Sequence, residues 1–181
     1  MLKIEELVHS FINTNCDFEK ELVLTNFFHS DWEADILLIN NEGFSHEIEI
    51  KLSKSDFKND FKKKYTNQKT GEKFLKHEKI GCGDYICNSF SFLVPMGMID
   101  HQTIPDHCGI IEFYHDEDNW ETTFYKIREP KTIHPDSYWK LCDKDHFMRT
   151  LARSLLFKKF ELKGKREELI FKNPFEIKNK K

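Results

Sequence analysis

Residues 45–52, SHEIEIKL, alternate polar and apolar side chains with a period of two. An extended strand sends successive side chains to opposite faces. Ile48, Ile50 and Leu52 therefore mark one face, and Glu47, Glu49 and Lys51 the other. Upstream, NNEG is a turn signal, and ADILLIN is apolar on both faces, as expected of a strand in mid-sheet. The stretch predicts a β-hairpin. With a three-residue loop, Asn41-Glu42-Gly43, in which Gly43 supplies the left-handed conformation, Asn40 pairs with Phe44 and Asp35 stands opposite Glu49. Asp35, Glu49 and Lys51 then share a face. A two-residue turn, Asn41-Glu42, would set Asp35 against Ile48 and dissolve that grouping.

The remaining pattern builds a sheet around this hairpin. Ile4, Leu7, Val8 and Phe11 fall at i, i+3, i+4 and i+7, which predicts an amphipathic helix over about residues 2–13. KELVLTNFF reads as a strand. SKSDFKNDFKKK reads as a helix capped by Ser53 with Asp56, its stripe made by Phe57 and Phe61. YTNQKTGEK reads as a loop, and KFLKHEKIG as a short helix stopped by Gly81. SFSFLVP is a strand ended by Pro95. GIIEFYH and WETTFYKI flank the polar turn DEDN as a hairpin. The segment from Asp136 to Phe160 is a long helix with a break near Asp143, its core face formed by Phe147, Leu151, Leu155 and Leu156. The fold class is α/β, one domain over residues 1–171 followed by a basic tail, 172–181.

Composition excludes several classes. Seventeen Phe among 181 residues do not fit a disordered chain. No apolar run approaches the roughly 20 residues that span a bilayer. MLKIEELVHSF has adjacent glutamates where a secretory signal is apolar, so a cytoplasmic location without membrane contact is expected. Five cysteines without a CxxC pair predict free thiols. A formal net charge of −3 argues against a non-specific nucleic-acid coat. The charge is uneven, however: acids dominate residues 100–147, and Lys and Arg dominate 158–181.

Two carboxylates set opposite one another repel unless a proton or cation lies between them. A hard divalent ion suits such a pair together with a backbone carbonyl. Lys51 beside it would hold an attacking water or neutralise developing charge. Alternating Glu, Ile, Glu, Ile, Lys is equally the pattern of a strand with one solvated face. Asp35 is what that alternative explains worst, since Asp is a poor strand residue and is rarely buried without a partner.

Asp35 followed by Glu49-Ile50-Lys51 across a short hairpin resembles the PD-(D/E)XK nuclease superfamily. The longer string EIEIKLSKSDFKNDF, with KHEKI and SFSFLVP downstream, is similar to a subgroup of small bacterial and phage proteins that includes MmcB-like DNA-repair proteins. The resemblance covers about residues 1–114, and more weakly the C-terminal helix. It departs at Ala34, where the superfamily's name calls for proline. It implies a restriction-endonuclease-like core of order α-β-β-β-α-β on a mixed central sheet, to which this chain adds a β-hairpin and a long C-terminal helix. It implies that Asp35, Glu49 and the Ile50 carbonyl bind Mg²⁺ or Mn²⁺ and that Lys51 positions the water. The activity implied is that of a metal-dependent endonuclease on DNA, with a homodimer left open. The alternative is an inactive nuclease-fold module that binds nucleic acid or a protein partner. Glu5 is a candidate additional acid from the first helix, against the plainer reading of a solvated glutamate.

Lys54, Lys58 and Lys62, with Lys63 and Lys64, are candidates for a phosphate-backbone grip. Asp56 and Asp60 are interleaved with them, so a salt-bridged solvent face fits equally well. His77 is a candidate to approach a scissile phosphate with Lys73 or Lys76, though a surface histidine is the plainer reading. Cys82, Cys87 and Cys108 with His101 and His107 lack a standard zinc spacing. HDEDN reads as a hairpin tip, and Trp120, Tyr125 and Trp139 as core aromatics.

Overall fold

The computed structural model describes residues 2–28, 32–66 and 71–161. The chain runs α1 (Ile4–Asn15), β1 (Glu21–Phe28), β2 (Glu33–Asn40), β3 (Ser45–Ile50), α2 (Lys54–Asp60), β4 (Lys64–Thr66), β5 (Lys73–Leu75), α3 (Lys76–Gly81), β6 (Ser89–Pro95), β7 (Cys108–Asp116), β8 (Glu121–Arg128), α4 (Tyr138–Leu141) and α5 (Lys144–Glu161). This is an α/β fold. Its main sheet has the order β1-β2-β3-β6-β7-β8. The strands β3, β6 and β7 are mutually parallel, and antiparallel pairs β1–β2, β2–β3 and β7–β8 complete a mixed sheet. The domain limit at residue 171 and the tail 172–181 lie outside the described residues. No helix among the described residues is long and apolar enough to cross a membrane.

The turn chemistry sets the hairpin as the three-residue reading requires. Gly43 has φ +84°, a conformation that costs glycine little and other residues about 1 kcal/mol or more. The Asn40 side chain accepts from the N–H groups of Glu42 and Phe44, and the Asn40 N–H donates to the Phe44 carbonyl at 2.9 Å. Ile36 then faces Ile48 and Ile39 faces Ser45.

Each face of the sheet buries one side of that pattern. Leu7 and Phe11 of α1 cover Ile36, Leu38, Ile48, Ile50, Leu93 and Ile111. On the other face Phe57, Ile80, Tyr138 and Phe147, from α2, α3, α4 and α5, cover Leu37, Ile39, Phe90, Phe92 and Ile110. Residues 90–94 of β6 are all buried, as a parallel strand covered on both faces must be.

Several expectations hold locally. The Ser53 hydroxyl accepts from the Asp56 N–H at 3.2 Å, an N-cap. The C-terminal helix breaks between Leu141 and Lys144. At the β7–β8 tip Asp116 accepts from the N–H groups of Asp118 and Asn119. All five cysteines are free. Other expectations are corrected. The loop expected over 65–73 is flanked by two three-residue strands that overlap its ends, and β4 pairs with β5 as a small antiparallel ribbon. The helix expected over 73–81 starts only at Lys76, because residues 73–75 form β5. Leu155 of α5 is exposed rather than core, and the side chain of Leu156 lies outside the described residues. Trp120 and Tyr125 are exposed, because Trp120 sits at positive φ beside the hairpin tip and Tyr125 lies on the edge strand β8.

Candidate functional site

The β2–β3 ladder ends at Ile36–Ile48, and the next rung would set Asp35 opposite Glu49. There the strands part, and the Ile50 N–H donates to Asp35 Oδ2 at 2.7 Å. The carboxylate takes a place that a backbone carbonyl would fill in a continued ladder. On the other side of β2, Asp35 faces Asn26 of β1, between the rungs Thr25–Ile36 and Phe27–Ala34. Asn26 has φ +49°. Leu24 and Phe27 reach the same core cluster, as do Ala34 and Leu37. A strict two-residue alternation forbids this, so both strands switch phase at Asn26 and Asp35. The switch opens Asp35 toward a groove of about 570 Å³ along α1, lined also by Glu5, His9, Thr25 and Asn26. Glu5 is exposed.

Burial and the neighbouring Glu49 push the Asp35 carboxyl up to about 6, against the smaller opposing pull of the Ile50 N–H, Lys51 and Lys63. Among the described residues Asp35 makes no ion pair.

The face carrying Glu47, Glu49 and Lys51 is enclosed, not solvated: Glu49 is 3% exposed and Lys51 5%. Three carboxylates meet three ammonium groups there. Lys51 Nζ lies 2.8 Å from Glu49 Oε1 and 3.5 Å from Asp60 Oδ1. Lys63 pairs with the same Glu49 oxygen and lies 2.7 Å from Asp60. Lys76 is 2.9 Å from Glu47 and 3.4 Å from Glu49, and its ammonium sits 4.7 Å from the Phe90 ring centre. Tyr85 OH donates to Glu47 Oε2 at 2.6 Å. Burial alone would lower the Lys76 ammonium, but Glu47, Glu49 and Asp60 outweigh it and hold it above the usual lysine value. Burial would likewise raise Asp60. The hydrogen bond from His77 and the charges of Lys76 and Lys63 instead hold it well below the usual carboxylate range.

The small β4–β5 ribbon builds this arrangement. Lys64 pairs with Leu75 at its base. Lys63 and Lys76 flank that rung, and the Lys76 N–H donates to the Lys63 carbonyl at 2.9 Å. Two lysines thirteen positions apart thereby reach Glu49 together.

The candidate residues divide as follows. Asp35, Glu49, Ile50 and Lys51 lie at the neighbouring ends of β2 and β3. Glu49 and Lys51 pair on the enclosed face. Asp35 accepts from the Ile50 N–H, lines the groove along α1, and feels the Glu49 charge without a direct contact to it. Lys54, Lys58 and Lys62 are exposed. Lys54 and Lys58 border a largely apolar cleft of about 410 Å³ with Phe57, Phe61 and Met98. His77 is not displayed at the surface. It is 8% exposed, stacked on Phe61, with Nε2 at 2.8 Å from Asp60 Oδ2. Enclosure by Phe61, the residue after α2, and by Phe90 and Phe92 of β6 takes it away from any direct phosphate contact. Glu47, Asp60 and Tyr85 were not singled out by pattern as site residues, and Lys63 and Lys76, candidates for phosphate contact, are instead paired with Glu49, Asp60 and Glu47. Glu47 carried one signal, the shared parity with Glu49 and Lys51. Of the five Cys and His residues weighed for zinc, only His107 and Cys108 come together, and the third member of their cluster is His77. Cys87 lies beside Glu47, and His101 beside Glu112.

No family model and no curated protein matches the chain. Among solved structures, a protein of unknown function from Silicibacter pomeroyi superposes with a TM-score of 0.52 at 15% identity, over 87% of this chain and 89% of that one. At this identity the likeness is one of fold, and it extends over most of both chains.

Proposed function

We propose that the protein is a metal-dependent nuclease that hydrolyses phosphodiester bonds of DNA, with Asp35, Glu49 and Lys51 at its centre. The observation that carries the reading is Asp35 itself. A carboxylate at the parting of two strands, opposite Glu49 in register and raised to about 6 by burial and by that neighbour, is costly to keep unless a cation settles it. Two carboxylates with the Ile50 carbonyl are hard oxygen donors of the kind that Mg²⁺ or Mn²⁺ takes. A divalent ion held there supplies an activated water and neutralises charge developing on the phosphate. Lys51 orients that water, while Lys63 and Lys76 hold Glu49 in its place. Exposed Lys54, Lys58 and Lys62 attract the phosphate backbone. The order α1-β1-β2-β3-α2-β6, with the β4–β5 ribbon and α3 inserted before β6, supports a restriction-endonuclease-like core.

One observation favours a second reading, an inactive nuclease-fold module that binds nucleic acid or a protein. Glu49 and Lys51 are nearly enclosed and engaged with each other at 2.8 Å. The test offers plasmid, single-stranded and branched DNA, and RNA, to the full chain with Mg²⁺, Mn²⁺ or EDTA, beside Lys51→Ala. Lys63 and Lys76 still balance Glu49 in that variant, so it is expected to fold, as circular dichroism will check. Metal-dependent cutting that vanishes in folded Lys51→Ala supports the nuclease. Cutting by Lys51→Ala at the parent rate refutes the assignment, and metal-independent binding without cutting selects the module.

A further inference from the structure

On the far side of Asp60 from Lys51, three side chains with metal-binding atoms meet in the interior. His77 comes from α3, His107 from the segment before β7, and Cys108 from the first residue of β7. His77 Nδ1 lies 3.4 Å from His107 Nε2 and 3.8 Å from Cys108 Sγ. All three ligand atoms fall within 4.8 Å of one another. We infer that His77, His107 and Cys108 form a binding site for a zinc-class divalent transition metal, distinct from the oxygen-donor site at Asp35 and Glu49.

The distances fit a metal at the centre. Tetrahedral zinc with bonds of about 2.0 Å to nitrogen and 2.3 Å to sulfur places neighbouring nitrogens about 3.3 Å apart, and nitrogen and sulfur about 3.6 Å apart. The two edges at His77 lie within a few tenths of an ångström of those values. The third, between His107 and Cys108, is no longer than 4.8 Å, so a small side-chain adjustment closes the triangle. A mixed imidazole and thiolate set suits Zn²⁺ or Co²⁺ rather than Mg²⁺. Three protein ligands leave a fourth position for water, on the side where His107 is half-exposed.

The orientation of His77 fits as well. Its Nε2 is 2.8 Å from Asp60 Oδ2, and Asp60 is also 2.7 Å from the Lys63 ammonium. A carboxylate so placed only accepts, so His77 Nε2 carries a hydrogen. A neutral His77 therefore turns the Nδ1 lone pair toward His107 and Cys108. A carboxylate that fixes a ligand imidazole through its other nitrogen is the usual support of a zinc-bound histidine. The ring is further held by stacking on Phe61, with centroids 4.3 Å apart, and by edge contact with Phe90. The backbone around the other two ligands is held by Arg128 and by the Lys131 N–H, which donates to the His107 carbonyl at 3.2 Å. Arg128 Nε donates to the Cys108 carbonyl at 2.9 Å, and one terminal nitrogen of Arg128 donates to the carbonyls of Ile104 and Pro105. Binding would release the Cys108 thiol proton to solvent and pin α3 to the start of β7.

The test titrates the tag-free full chain, stripped with EDTA and reduced, with Co²⁺ alone. The expected result is one equivalent bound, with a thiolate-to-cobalt charge-transfer band and the visible bands of a tetrahedral ion. Cys108→Ser should lose the charge-transfer band, and Cys82→Ser, at an exposed cysteine, should keep it. His107→Ala, at a half-exposed position that protects the readout if Cys108→Ser does not fold, should weaken Zn²⁺ binding by about tenfold or more in chelator competition. A folded parent without the charge-transfer band, a band that survives Cys108→Ser, or unchanged affinity in His107→Ala overturns the inference. Cleavage by Cys108→Ser supplied with Mg²⁺ separates this site from the one at Asp35, since loss of one need not remove the other.

Discussion

The Asp35 carboxylate should cost the metal-free protein stability, and Asp35→Asn should return it. Moving a carboxyl from 3.8 in the unfolded chain to about 6 in the folded one corresponds to about 3 kcal/mol against the ionised folded state. The sign follows from proton counting. Between those two values the folded protein binds more protons at Asp35 than the unfolded chain does. The contribution of Asp35 is therefore fully favourable below the unfolded value, is lost as pH rises toward about 6, and is flat above. Asparagine keeps an acceptor oxygen for the Ile50 N–H but has no charge to bury. In urea unfolding with EDTA, Asp35→Asn should be more stable than the parent by about 1–3 kcal/mol near pH 7.5, and the gap should close toward pH 4. Saturating Mg²⁺ or Mn²⁺ should then close or reverse the gap, since a cation at one hundred times its dissociation constant adds about 2.7 kcal/mol to the parent alone. Equal stabilities near pH 7.5, or a gap that does not change with pH, would refute the claim that Asp35 is held ionised against burial and Glu49. A metal that stabilises parent and variant alike would refute its place among the ligands.

Two further outcomes follow from the packing. Lys76→Met withdraws the ammonium from Glu47 and Glu49 in a fully enclosed place, so urea unfolding near neutral pH should show a loss of about 3–5 kcal/mol; a loss under about 1 kcal/mol would mean that these charges behave as a surface pair. Gly43→Ala forces a Cβ into the left-handed turn and against Ser137 and Trp139, so thermal unfolding should reveal a loss above the roughly 1 kcal/mol that the backbone alone accounts for, and an unchanged melting temperature would contradict the register of the hairpin.

The hairpin was legible because its information is local. A period of two, one glycine at the left-handed position and one asparagine side chain specify the Ile36–Ile48 register, and that register sets Asp35 across from Glu49. The Ser53 cap and the break before Lys144 are local in the same way. The enclosure of the Glu47, Glu49 and Lys51 face was not legible, because it depends on what lies over the strand. Alternation says which side chains share a face and nothing about whether water reaches it. That is decided by α2, by α3 and by a ribbon of two three-residue strands, too short to carry a periodic signal. The run Lys62-Lys63-Lys64 could not disclose that Lys63 alone turns to Glu49 and Asp60 while its neighbours face solvent. His77 is the same case, since its burial comes from Phe61, Phe90 and Phe92, brought from two other elements.

The enclosed charges constrain how the site can work. Replacing buried ion pairs by apolar side chains of similar volume is often neutral or stabilising, so a network of three carboxylates and three ammonium groups is not a cheap way to make a core. Its geometry separates two tasks. Lys76, with Glu47 and Tyr85, forms the deeper end, where every partner is enclosed. Lys63, the more exposed of the two lysines that flank the ribbon's base, closes the end nearer solvent, on the Glu49 oxygen that Lys51 also contacts. In the proposed reading, a divalent ion at Glu49 and Asp35 would bring positive charge to the place where Lys63 already supplies it, so metal binding and the Lys63–Glu49 contact would oppose each other. The base of the β4–β5 ribbon, where Lys63 precedes β4, is thus the part of the fold through which occupancy of the site would be felt.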